Sequence, residues 1–139
     1  MDAKRQAQIP RPGPAPSASV GPWRWYWWLT GISLLGSLEV AQFLATNSGM
    51  FTGAPGRAAG SVLGLVLWTL LTALAGAAAS GRRSPWLARA ILVLSGLVAV
   101  GSVGLAAIHA AAHVGGLRPA LGGVLGLAAL GLAIGARRD

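Results

Sequence analysis

The chain has 139 residues and a net charge of +8; 54% of its residues fall in the set AVILMFWYC, only 10% are charged, and 21 glycines come on top of the apolar share. An average soluble domain is about 25% charged, and a chain this short has too much surface for its volume to hide so much apolar area, so the composition excludes a water-soluble globular domain and makes lipid the solvent. The absence of cysteine excludes disulfides, thiolate metal sites, iron–sulfur clusters and cysteine nucleophiles.

Residues 1–24 differ from everything after them. Lys4, Arg5 and Arg11 occur with Pro10, Pro12, Pro14 and Pro16, and no aromatic residue precedes Trp23. A segment that buries so little cannot offset the entropy of ordering it, and it reads as a disordered, basic, proline-rich cytoplasmic tail.

A spanning helix needs about 20 apolar residues, because the hydrocarbon core is about 30 Å thick and each residue rises 1.5 Å. Four stretches within a transmembrane domain over 25–139 meet this, at about 25–45, 59–80, 86–110 and 119–136. Asn47, Ser48, Gly49, Gly53, Pro55 and Gly56 break the first from the second. Ser80 to Pro85 makes the next break, and Gly115 to Arg118 the last. Pro119 suits the first turn of a helix, where its missing N–H has no partner to lose. A barrel would require alternating short segments, which these continuous runs are not. The first span follows a long tail and lacks a clean small-residue cleavage site, so it is expected to be an uncleaved anchor. The fold class is therefore an all-α integral membrane protein, a four-transmembrane-helix bundle built from two helical hairpins.

Basic residues set the expected orientation. Lys4, Arg5, Arg11, Arg24, Arg82, Arg83, Arg89, Arg137 and Arg138 fall on one side, leaving only Arg57 and Arg118 on the other. The positive-inside rule puts both termini in the cytoplasm. Trp23, Trp25, Tyr26, Trp27 and Trp28 lie where the first helix enters and Trp86 where the third does, as an aromatic belt at one interface would require. Alanine-, glycine- and arginine-rich, lysine-poor usage suggests a bacterial plasma membrane. The basic residues are spread over juxtamembrane positions and form no groove-entering face, so anionic inner-leaflet headgroups and not nucleic acid are the expected partner.

Pro22-Trp23 recurs as Pro85-Trp86, and Gly60-Ser-Val-Leu-Gly-Leu65 as Gly122-Gly-Val-Leu-Gly-Leu127. Two readings stand: a parallel internal repeat about an axis along the membrane normal, or coincidence in a small alphabet. Lipid tails are as apolar as leucine, so close backbone approach and interhelical hydrogen bonds hold such helices together. Gly60 and Gly64, Gly122 and Gly126, and Gly131 and Gly135 are small residues one turn apart, and predict that the second and fourth helices make the tightest contact. The same faces would serve a homodimer or a larger membrane complex.

Few residues could carry chemistry. Glu39 is the only acid besides Asp2 and Asp139; about 21 Å up the first helix, it is expected in the outer third of the hydrocarbon. An acid there costs energy on insertion and marks an interior contact or a function, and desolvation favours its neutral form. Ser102 and Thr69 are the expected partners, with Gln42 and Thr46 further out on the same face. Ser95, Ser102 and His109 follow one another at seven-residue steps, and His113 comes four after His109. His109 and His113 could ligate a metal, though Glu39 lies too low to join them, and Gln42, Thr46 or Asn47 are better placed to meet the histidines. Trp68, in the middle of the second helix, reads as a packing residue. No hydrolase, kinase, phosphate-loop or dinucleotide motif is present, and no cofactor is implied. The leading expectation is a non-enzymatic accessory or scaffold subunit. The alternatives are a small oligomeric transporter or channel using Glu39 and the Ser102/His109 stripe, and an extracytoplasmic metal site on His109 and His113.

Overall fold

The computed structural model describes residues 21, 23–52, 55–82, 84–111 and 117–138. Those residues form four α-helices and no strand: α1 (Trp23–Thr46), α2 (Pro55–Ala79), α3 (Pro85–Ala111) and α4 (Arg118–Arg138), with one 3-10 turn at Ser48–Phe51. Their 24, 25, 27 and 21 residues give lengths of about 32–40 Å. Each is long and apolar enough to cross a membrane. Of the expected tail over 1–24, all but Gly21, Trp23 and Arg24 lies outside the described residues, and Trp23 and Arg24 already belong to α1.

Local chemistry sets the ends. Ser84 caps α3, its Oγ accepting the Leu87 N–H at 3.1 Å, and Pro85 follows at the first helical position, where a proline loses no hydrogen bond. At the C-terminus of α2, the Gly81 N–H reaches the Ala78 carbonyl at 3.1 Å and the Arg82 N–H the Ala77 carbonyl at 3.2 Å. This is a Schellman closure, and it requires a left-handed residue just past the helix. Gly81, at φ +95°, supplies it.

The close contacts define how the helices pack. A Cβ built on Gly36 of α1 would lie 2.5 Å from the Trp68 ring on α2, and one on Gly76 of α2 would lie 3.8 Å from Thr30 on α1. Rising numbers on α1 meet falling numbers on α2, so the two are antiparallel. Gly126 lies against Ala99 and Ser102, and Gly123 against Ala106, which makes α3 and α4 antiparallel in turn. Gly135 meets Trp25 while Arg118 meets Glu39, so α4 also runs antiparallel to α1. α1 packs most extensively on α2, and α3 on α4; α1 and α4 come next, then α2 and α3.

α4 is small inside and large outside, whereas α2 and α3 bury Trp68, Leu71, Leu87, Ile91 and Val98. Every buried residue of α4 is glycine or alanine: Gly123, Gly126, Ala129, Ala133 and Ala136. Its Leu121, Val124, Leu127 and Ile134 are exposed. α1 buries Leu29, Ser33, Gly36 and Ser37. In lipid there is no gain from hiding a leucine, whereas small residues let backbones approach, so this inversion of a soluble core is the stable arrangement.

The expectation that α2 and α4 form the tightest pair is corrected. Gly60 and Gly64 on α2, and Gly122 and Gly131 on α4, have no atom within 4 Å of a built Cβ; only Gly126 and Gly135 of the six face a neighbour closely, and those neighbours are α3 and α1. Helices that are apolar all round carry no sign in sequence of which glycine face turns inward.

Candidate functional site

The polar groups of α1 are mostly spent on α1 itself. Thr30 Oγ1 donates to the Tyr26 carbonyl (2.7 Å), Ser33 Oγ to Thr30 (3.1 Å) and Ser37 Oγ to Ser33 (3.0 Å). These back-bonds satisfy hydroxyls that the close approach to neighbouring helices removes from any other partner. Ser33 and Ser37 are buried, and their spacing was a small-residue signal as good as that of the glycine pairs. On α3, Ser95 Oγ is fully buried and has no hydrogen-bond partner among the described residues.

Glu39 finds a partner that sequence spacing does not reveal. Its Oε1 accepts a hydrogen bond from Arg118 Nε at 2.5 Å. Arg118 is the first residue of α4 and lies 79 positions away. Arginine stays protonated in proteins and presents a planar fork to a carboxylate, so the contact ties α1 to α4 at the end opposite the Trp25–Gly135 contact. With 42% of the Arg118 and 31% of the Glu39 side chain exposed, the pair sits at the rim of the packed helices. The expected partners are corrected: Ser102 lies half-buried beside Gly126 of α4, and Thr69 is exposed. The positions that an arginine and an acid occupy along their own helices are legible in sequence, but their azimuths are not.

The outer polar stripe does not assemble around the histidine. Thr46 Oγ1 donates to the Gln42 carbonyl at 2.8 Å and Asn47 Nδ2 to the Phe43 carbonyl at 3.0 Å, closing carbonyls that the last turn of α1 leaves open. Both side chains are thus turned back on α1, and among the described residues neither is bonded to His109. Gln42 is exposed. His109 Nδ1 lies 2.8 Å from the Leu105 carbonyl; a carbonyl only accepts, so Nδ1 carries the proton and a neutral ring keeps its lone pair on Nε2. His113 lies outside the described residues. Among the described residues no group of three His, Cys, Asp or Glu could hold a metal.

At the other end, a half-open cleft of about 290 Å³ lies between Tyr26 of α1, the α2–α3 turn and Ala136 of α4. No sequence signal marks it, because its lining is drawn from all four helices and the α2–α3 turn, an adjacency that no local pattern encodes. No protein-family model, curated protein or solved structure matches the chain.

Proposed function

We propose that the chain is a small multi-pass protein of a bacterial plasma membrane that acts without enzymatic chemistry, as an accessory or scaffold subunit. On this reading it forms a bundle of two helical hairpins, α1–α2 and α3–α4, with both termini cytoplasmic. Trp23 and Trp86 open the two helices that start at the same end, and Arg24, Arg82, Arg89, Arg137 and Arg138 lie toward it, which supports that end as the inner one. If the hairpins are a parallel repeat, they have diverged: Gly64 has open space where its counterpart Gly126 is tightly packed.

The observation that carries the scaffold reading is the Glu39–Arg118 contact. An intramembrane acid is a functional residue by default, and the pairing of this acid with an arginine across two helices supports a structural role for it. The large apolar side chains turned outward are then available to lipid and to partner helices. The test is an ion-flux assay on vesicles holding the full chain, paired with crosslinking in the native membrane. The scaffold reading expects no flux above empty vesicles, none created or lost by Glu39→Gln, and a reproducible crosslinked complex. A proton- or ion-coupled flux abolished by Glu39→Gln contradicts it.

A second reading, an oligomeric transporter or channel, draws support from Ser95, whose buried hydroxyl lacks a partner on the same stripe as Ser102 and His109. It predicts flux that Ser95→Ala alters.

A further inference from the structure

We infer that the cleft at the Trp25 end binds the headgroup of one anionic phospholipid, with Arg82 as the residue that recognises its phosphate. The inference rests on the proposed membrane-spanning reading and adds a specific site to it. The cleft offers two chemistries side by side. Arg82, Tyr26 and Ser84 line its polar part, and Ala78, Leu87 and Ala136 its apolar part. A cation beside an apolar wall suits an anionic amphiphile: an arginine pairs with phosphate oxygens through its fixed fork, and the wall takes the glycerol and the start of an acyl chain. A volume of about 290 Å³ is at the lower limit of small-molecule sites. It holds a headgroup, with the chains leaving through the open side.

Charge points the same way. Arg24, Arg89, Arg137 and Arg138 are all exposed and all lie within a few residues of the lining. Among the described residues the one acid is Glu39, at the opposite end and already engaged by Arg118. Among the described residues nothing neutralises this end, and the inner leaflet of a bacterial membrane offers the anions that can. Arg82 is the arginine that lines the cleft. The Schellman closure around Gly81 uses the Arg82 N–H itself, which fixes the backbone from which its side chain enters the cleft.

The test is native mass spectrometry of the full chain in detergent, titrated with dioleoylphosphatidylglycerol or dioleoylphosphatidylcholine. One phosphatidylglycerol should be retained in preference to phosphatidylcholine. Arg82→Gln should lower that retention about tenfold, as loss of one charge-assisted hydrogen bond does, and Arg82→Lys should recover part of it. Arg138→Gln, one equal charge outside the lining, should change it little. Ala136→Phe fills the cleft without altering charge and should abolish the preference, with helicity checked by circular dichroism. Equal retention of both lipids overturns the inference, as does an equal loss in Arg82→Gln and Arg138→Gln, which would mean a diffuse basic surface. Displacement of the lipid by millimolar inorganic phosphate would reassign the cleft to free anions. None of these outcomes depends on ion flux or on crosslinked partners, so this site and the scaffold reading stand or fall separately.

Discussion

The Trp68 indole of α2 lies directly on Gly36 of α1, so close that a Cβ at position 36 would stand 2.5 Å from Trp68 Cδ2. The largest side chain in the buried core is accommodated because the residue facing it has no side chain, and α1 and α2 approach through that one hole.

Gly36→Ala should therefore destabilise the helix pair by about 1–3 kcal/mol, the usual cost of overpacking. Gly60→Ala and Gly64→Ala, which meet open space, should stay within about 0.5 kcal/mol of the parent. Thermal unfolding in one detergent, followed by the near-ultraviolet signal of the tryptophans, distinguishes the three variants. Equal effects at positions 36 and 64 would show that the α1–α2 contact is misassigned.

Gly126 is the corresponding close point between α3 and α4. Its built Cβ lies 3.1 Å from the Ala99 Cα, and backbone cannot rotate aside. Gly126→Leu should loosen α3 from α4 and lower thermal stability whether or not the chain associates with itself. If the variant instead kept its melting temperature and lost a crosslinked dimer, Gly126 would face a second copy.

The Glu39–Arg118 pair should show coupling in a double-mutant cycle. Partial exposure of both groups limits the coupling to about 0.2–1 kcal/mol, the range of exposed pairs. The charge exchange is the sharper comparison. Glu39→Arg alone places two cations together and should reduce accumulation in the membrane, and adding Arg118→Glu should restore it. Failure of the exchange to rescue would argue that the two residues do not meet.

Gly81 holds the α2–α3 turn in a left-handed conformation, at φ +95°. Gly81→Val should destabilise the chain by about 1–2 kcal/mol or more, since a Cβ is strained there, whereas Gly81→Asn should lose much less. Because the same closure positions Arg82, the valine variant should also bind phosphatidylglycerol less well in the titration described above.

The four apolar helices were legible in the sequence because continuous apolar runs of spanning length, separated by glycine, proline and arginine, have few other physical solutions. Helix ends were clear at the α2–α3 turn, where Ser84-Pro85 and Ser80-Gly81 carry their own capping chemistry, but not at the start of α2, where Pro55 and Gly56, expected in the loop, open the helix. Which face of each helix turns inward was not legible. Leu35 points outward and Leu29 inward, yet both are leucines on one helix, because lipid and protein interior present the same polarity. One-turn glycine spacing marks Gly126 but not Gly36, whose neighbours Ser33 and Ser37 complete the small-residue face. In sequence Arg118 marks a helix break and a charge that reports orientation. Its pairing with Glu39 depends on α1 lying beside α4, and no local pattern encodes that adjacency.

In the proposed topology the chain crosses a membrane four times with both termini on the cytoplasmic side. Paired fusions of green fluorescent protein and alkaline phosphatase after residues 52, 82, 116 and 138 test it most directly. Fluorescence without phosphatase activity is predicted at 82 and 138, and phosphatase activity without fluorescence at 52 and 116. Phosphatase activity at 138, or the same reporter active at 52 and 82, would contradict the claim.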